Sequence, residues 1–331
     1  MRETKELAIL TDTFDNVDFF RPVENSTYIF ASAGEVRASH IDAWKASINN
    51  VRFLEISQET QISFKITGNE KLISLRSELN MSSLWETLQP NDTVYIDITG
   101  LTHSVWASIL KSAIINKLKV LVVYVEPDVY SLSSAPVEGQ IYDLSSSIQG
   151  ISPLPGFATL SSRNNNNFTF IPLLGFEGPR LRYIIEQIQP GHECITPIVG
   201  SPGFKPWYVF EAYIGNKGAL AETSSWQSVR YAPANCPFSC YYLLEEIADS
   251  NKERALKIAL IGTKPHALGA VLFALSHTIP VELIHDHPIR KPNRTGGKAR
   301  LLVYHISALF NDDSTIYKSF SRDRAIRRKL S

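Results

Sequence analysis

Two stretches of the chain share an order of residue types suited to binding an anion. In Val94 to Ser104 (VYIDITGLTHS) an apolar run gives way to a Gly/Thr turn and a histidine, and an apolar helical pattern follows. Lys257 to His266 (KIALIGTKPH) repeats that order. Where a strand turns into a helix, the first amides of the helix are unpaired, a glycine lets a guest approach the backbone, and hydroxyls supply donors. Thr99, Gly100, Thr102 and His103 in the first turn, and Gly262, Thr263, Lys264 and His266 in the second, are therefore candidate ligand contacts. Phosphate is the natural guest, although capped strand-to-helix connections use the same residues for structural reasons alone. A histidine at a helix start sits at the positive end of the macrodipole, which favours its neutral, hydrogen-bonding form.

Three more stretches reach the same rim if the strands before them are parallel, because ligands of open α/β sheets lie beyond the carboxyl ends of the strands. Leu174 to Arg180 (LGFEGPR) offers Gly175, Glu177, Gly178 and Arg180, whose guanidinium suits bidentate capture of an oxyanion. Val199 to Lys205 (VGSPGFK) offers Gly200 and Phe204, with Trp207 and Tyr208 just beyond as further rings for a base. His285 to Thr295 (HDHPIRKPNRT) offers Asp286 and Arg290. His285 and His287 could share one face, but no third metal ligand is visible, so no metal or cofactor is expected. Walker A and GxGxxG spacings are absent, and no GxSxG elbow surrounds Ser104. An enzyme acting on a nucleotide or sugar phosphate, a phosphodiesterase or an N-glycosidase, would draw its acid–base groups from Glu177, Asp286 or a histidine.

The elements that must hold these turns are legible as alternation. Short β-branched runs at 27–32, 51–56, 94–99 and 119–125 alternate with helical patterns at 38–49, 70–87 and 103–116. Ser145 to Asn167 is rich in Ser, Pro, Gly and Asn and marks a boundary. Beyond it, strand runs at 168–174, 194–199, 228–231, 257–261, 281–284 and 301–305 alternate with helices whose first turns carry Pro179, Pro237 and Pro265. The expected fold is α/β, two Rossmann-like units with mainly parallel sheets flanked by helices, related by a diverged duplication. The expected boundaries are 1–150 for the first unit, 151–167 for a linker, 168–317 for the second unit and 318–331 for a basic tail. The helix at 265–276 is apolar on nearly all sides and must be either central or a contact with another chain.

Composition narrows the function classes. The 331 residues are 44% hydrophobic and 20% charged, a globular balance, and Lys+Arg and Asp+Glu both total 33. No overall field gathers polyanions, so nucleic-acid contact is expected only through the tail, where Lys318, Arg322, Arg324, Arg327, Arg328 and Lys329 face a single Asp323. The longest apolar run, Ala267 to Leu275, is far shorter than the roughly 20 residues of a membrane span. With no secretory signal pattern and three cysteines lacking zinc spacing, the expected compartment is the cytoplasm.

The two turns resemble those of the CRISPR-associated Rossmann-fold (CARF) domains and their fused two-unit SAVED relatives. Asp97 to Ser104 looks like the family's Asp-x-Thr turn after a central strand, and Gly262-Thr263-Lys264 looks like its Gly-Thr-Lys turn. The resemblance covers under a tenth of the chain. It departs from the family at Leu101-Thr102-His103, where Gly-Phe-Arg is frequent, and in carrying one glycine at the second turn. It implies a sensor of a nucleotide or oligonucleotide that signals to a separate effector, plausible in antiviral defence, as a homo-oligomer or hetero-complex. The expectation from another class is a scaffold subunit.

Overall fold

A computed structural model of the protein describes residues 10–32, 35–137, 140–159, 167–251 and 254–310. The chain is an α/β protein with two mixed sheets. In the first, eight strands lie in the order Thr11–Phe14, Leu301–His305, Lys119–Val125, Thr93–Asp97, Ser26–Phe30, Val51–Ser57, Ser63–Ile66 and Ile73–Ser74. The four strands from Lys119–Val125 to Val51–Ser57 are parallel, and antiparallel strands close both edges. The second sheet has six strands in the order Ser152–Pro153, Val281–His285, Ala255–Leu260, Phe168–Leu173, Ile198–Gly200 and Arg230–Ala232. All but the first of these are parallel.

Helices α1 (His40–Ser47), α2 (Glu78–Ser82) and α3 (His103–Ile115) belong to the first half, and α4 (Gly178–Ile188), α5 (Tyr208–Glu222), α6 (Pro237–Ser250) and α7 (Lys264–Ser276) to the second. Side-chain alternation along the strands fixes which helices cover which face. Tyr28 and Phe30 point to the α1 side, where they meet Ile41 and Trp44, while Ile29 points the other way. Between the sheets, Val105 and Trp106 of α3 and Leu268, Val271 and Leu272 of α7 join Ile29, Ile96, Ile171 and Ile258 in one continuous core. On the far face of the second sheet, Leu181 and Ile184 of α4 and Ala212 and Leu220 of α5 pack on Phe170 and Ala259. The all-apolar helix is thus central: α7 packs on α6 and α3, and Leu268, Val271, Leu272 and Phe273 are 0% exposed.

Three local expectations are corrected. Leu301–His305, assigned from sequence to the second unit, instead pairs antiparallel with Lys119–Val125 in the first sheet. The helix expected over 70–87 is broken into the short strand Ile73–Ser74, α2 and a 3-10 turn at Ser83–Trp85. Ser77 caps α2 by accepting from the Asn80 amide, so the helix starts late. The boundary stretch also contributes edge strands: Ser152–Pro153, within the expected linker, pairs with Val281–His285, and Ser145–Ile148, just before it, pairs with Pro288–Arg290. Residues 160–166 and the basic tail lie outside the described residues. Among the described residues no helix is long and apolar enough to cross a membrane.

Candidate functional site

Each sheet has one place where the strand order reverses: between Ser26–Phe30 and Thr93–Asp97 in the first, and between Phe168–Leu173 and Ala255–Leu260 in the second. The turns that leave those strands diverge from points of near contact, which is why glycine is required there. A Cβ on Gly100 would lie 1.9 Å from the Ala31 carbonyl oxygen, and one on Gly175 would lie 2.5 Å from that of Ile261. Both reversal points face one cavity of about 580 Å³ between the halves, within the roughly 300–1,000 Å³ of small-molecule sites.

One wall of the cavity is aromatic, with Tyr124, Tyr130, Phe176, Phe204 and Tyr208. Phe176 is held edge-on to Tyr208 and Tyr130, with ring centroids 5.1 and 5.3 Å apart, and stacks on Tyr142 behind it at 4.4 Å. Trp207 is not part of this wall and is 53% exposed. Of the sequence candidates, Thr102, His103, Gly175, Glu177, Arg180, Gly200, Phe204, Gly262, Thr263, Lys264 and Arg290 line the cavity. Thr99, Gly100, Gly178, His266 and Asp286 do not. Thr99 is buried and its hydroxyl accepts from the Val125 amide at 2.9 Å. Gly178 lets α4 approach α5, since a Cβ there would sit 1.8 Å from the Gly215 carbonyl oxygen. His266 is buried, with Nε2 3.0 Å from the Pro233 carbonyl oxygen.

The charged candidates are tied to the protein itself. Arg180 donates twice to Asp286, from Nε at 2.7 Å and Nη2 at 2.6 Å, and once to Glu177 at 3.3 Å. Burial alone would neutralise Asp286, but Arg180 holds its carboxyl below the ordinary range. Glu177 also accepts from the Leu144 and Ser145 amides and from the Ser145 hydroxyl. Lys264 spans the halves, donating from Nζ to the carbonyl oxygens of Ile98, Thr99 (2.7 Å) and Leu101 (2.8 Å). Arg290 donates to the next carbonyls of that turn, Gly100 at 3.0 Å and Leu101 at 3.2 Å. Burial and nearby Arg294 lower Arg290 to about 10, and burial and Arg290 lower Lys264 well below its ordinary value. Among the described residues these two side chains make hydrogen bonds to carbonyls but to no carboxylate.

Sequence reasoning did not single out Glu35, Arg37 or Glu59, and it reached Arg294 only as part of the stretch His285 to Thr295. Glu35 accepts from both Arg37 (2.5 Å) and Arg294 (2.6 Å), bracing one side of the cavity. Glu59 accepts from the Thr102 amide at 2.8 Å and the Thr102 hydroxyl at 2.6 Å. No motif surrounds either glutamate, and only the folded contacts bring them to the site. Among the described residues no group of three or more His, Cys, Asp or Glu could hold a metal ion. His285 instead meets the Leu260 carbonyl oxygen at 3.1 Å, and His287 Nε2 meets the Ser152 hydroxyl at 2.8 Å.

The histidines carry a pH dependence. Burial lowers His266 to about 4 and His285 to about 3, and drives His103 well below its ordinary 6.5. The unfolded chain therefore takes up protons first. The stability of the neutral rings is complete above about pH 6.5 and is lost as pH falls toward the folded values. Urea midpoints are expected to fall steadily from pH 6.5 to 5, where ordinary carboxylates are still ionised; a flat profile there would contradict buried neutral imidazoles.

A scan against protein-family models finds no match to this chain, and a search of curated proteins finds none either.

Proposed function

We propose that the chain is a receptor for a nucleotide-type ligand, of the CARF/SAVED-like kind, that binds in the cavity between two Rossmann-like units and signals to a separate effector chain. The observation that carries this reading is the cavity at the two strand-order reversals, whose lining brings aromatic rings and basic side chains together. A planar base suits Phe176, Tyr208 and Phe204. An anionic group suits Arg290, which among the described residues hydrogen-bonds to carbonyls and to no carboxylate. That both halves reverse at a strand followed by a Gly/Thr turn supports a diverged duplication.

The enzymatic alternative loses its named carboxylates, because Asp286 and Glu177 both pair with Arg180. It would have to rest on His103, His285 or His287, which line the cavity. Isothermal titration with linear and cyclic mono-, di- and trinucleotides, with the products checked by mass, is the test. Binding tighter than about 1 mM, a free energy beyond about −4 kcal/mol, is the expected result. No heat from any member of the panel would reject the reading, and turnover would favour the enzyme.

A further inference from the structure

We propose that the N-terminus of α3 is a phosphoryl subsite that the chain keeps closed with its own Glu59, and that the anionic group of the ligand takes the place of this carboxylate. The proposal deepens the nucleotide reading above and rests on it for the identity of the ligand.

Glu59 lies on the segment Gln58 to Ile62, between the strands Val51–Ser57 and Ser63–Ile66, and that segment lines the cavity from Glu59 onward. Its Oε2 takes both donors of Thr102, the amide and the hydroxyl. Thr102 precedes α3 but makes no side-chain cap to its own helix. A carboxylate from elsewhere thus occupies the spot where a helix start favours an anion.

His103, the first residue of α3, is the independent sign that this spot serves a guest. It lines the cavity, is 8% exposed and packs its ring on that of His285 with centroids 4.5 Å apart, and among the described residues neither ring nitrogen has a hydrogen-bond partner. A buried polar group without a partner carries a standing desolvation cost that a ligand acceptor would relieve. A phosphoryl group in the place of Glu59 would accept from Thr102, and it would bring into the cavity that His103 lines an acceptor for the imidazole N–H. Arg290 lies within electrostatic reach of Glu59 without pairing to it, so it would serve the incoming anion equally.

The test uses the whole protein, inorganic phosphate as probe, and two variants. Glu59→Ala opens the subsite, and Glu59→Gln removes the charge while keeping an acceptor for Thr102, so it folds even if the alanine variant does not. Thermal stability is followed against phosphate at constant ionic strength, with the imidazole ¹⁵N signals of His103 as the local readout. The expected result is that phosphate stabilises either variant and shifts His103 at concentrations about tenfold or more below any effect on the wild type. Equal phosphate response in wild type and variants, or none in the variants, would overturn the proposal even if the nucleotide panel binds. Phosphate binding by the variants with no binding across the panel would uphold the subsite and reject the nucleotide reading.

Discussion

Replacing Arg180 by Met is expected to lower unfolding stability by about 3–5 kcal/mol, because it strands a fully buried carboxylate. Asp286 is 0% exposed, and Arg180 holds both of its oxygens. Glu177 would lose one contact but keep its two amides and one hydroxyl, so most of the damage falls on Asp286. The double variant Arg180→Met with Asp286→Leu should recover most of the loss, since exchanging a whole buried pair for apolar groups of like volume is often neutral. Denaturant midpoints of the two single variants and the double variant check this. If Arg180→Met left stability unchanged and abolished only nucleotide binding, the guanidinium would be a ligand contact, as sequence reasoning had it, and the ion-pair account would fail.

Lys264→Met is expected to have an effect of similar size by a different route. The three N–H bonds of the ammonium end on the carbonyls of Ile98, Thr99 and Leu101. Their removal leaves buried acceptors at about 1–3 kcal/mol each before relaxation, and Arg290 can satisfy only part of the turn. Summed over the three acceptors and less what relaxation recovers, a net loss of about 3–5 kcal/mol follows. Because the contact joins the start of α7 to the turn before α3, the variant should also loosen one half against the other. Hydrogen exchange of the amides at 98–102 would register that loosening, and unchanged protection there would show that Lys264 does not brace the turn. Lys264→Arg keeps the charge but brings a planar fork to a site built for three divergent donors, so it should recover only part of the stability.

Much of this architecture is legible in the residues because local patterning and the fold agree. Strands such as Ser26–Phe30 and Lys119–Val125 carry β-branched and aromatic runs, and Pro179, Pro237 and Pro265 lie in the first turns of α4, α6 and α7. The Gly/Thr turns lie where the strand order reverses, and several of their residues reach one cavity. What patterning lacks is partner information. Leu301–His305 has an unmistakable strand composition, yet nothing local says that it crosses back to Lys119–Val125. Thr11–Phe14 is too short and polar to announce itself, and it pairs only because Leu301–His305 offers an open edge.

The same limit applies to charge. Lys264 and Arg180 have the side chains of anion ligands, and sequence cannot reveal that carbonyls and carboxylates of the chain itself claim them first. Glu59 is the converse case: an unremarked glutamate in a strand connection becomes the occupant of a helix start. Both follow from long-range contacts, and a buried charge must find such a partner wherever the fold supplies it.

The central claim is that one ligand lies between the halves, its ring against Phe176 and Tyr208 and its anionic group toward His103 and Arg290. A crystal structure of the protein with the tightest-binding member of the nucleotide panel tests it most directly. The account predicts density spanning the cavity from the aromatic wall to the start of α3, with Glu59 turned out from Thr102. Density confined to the outer surface, with the cavity and the Glu59–Thr102 contact unchanged, would contradict it.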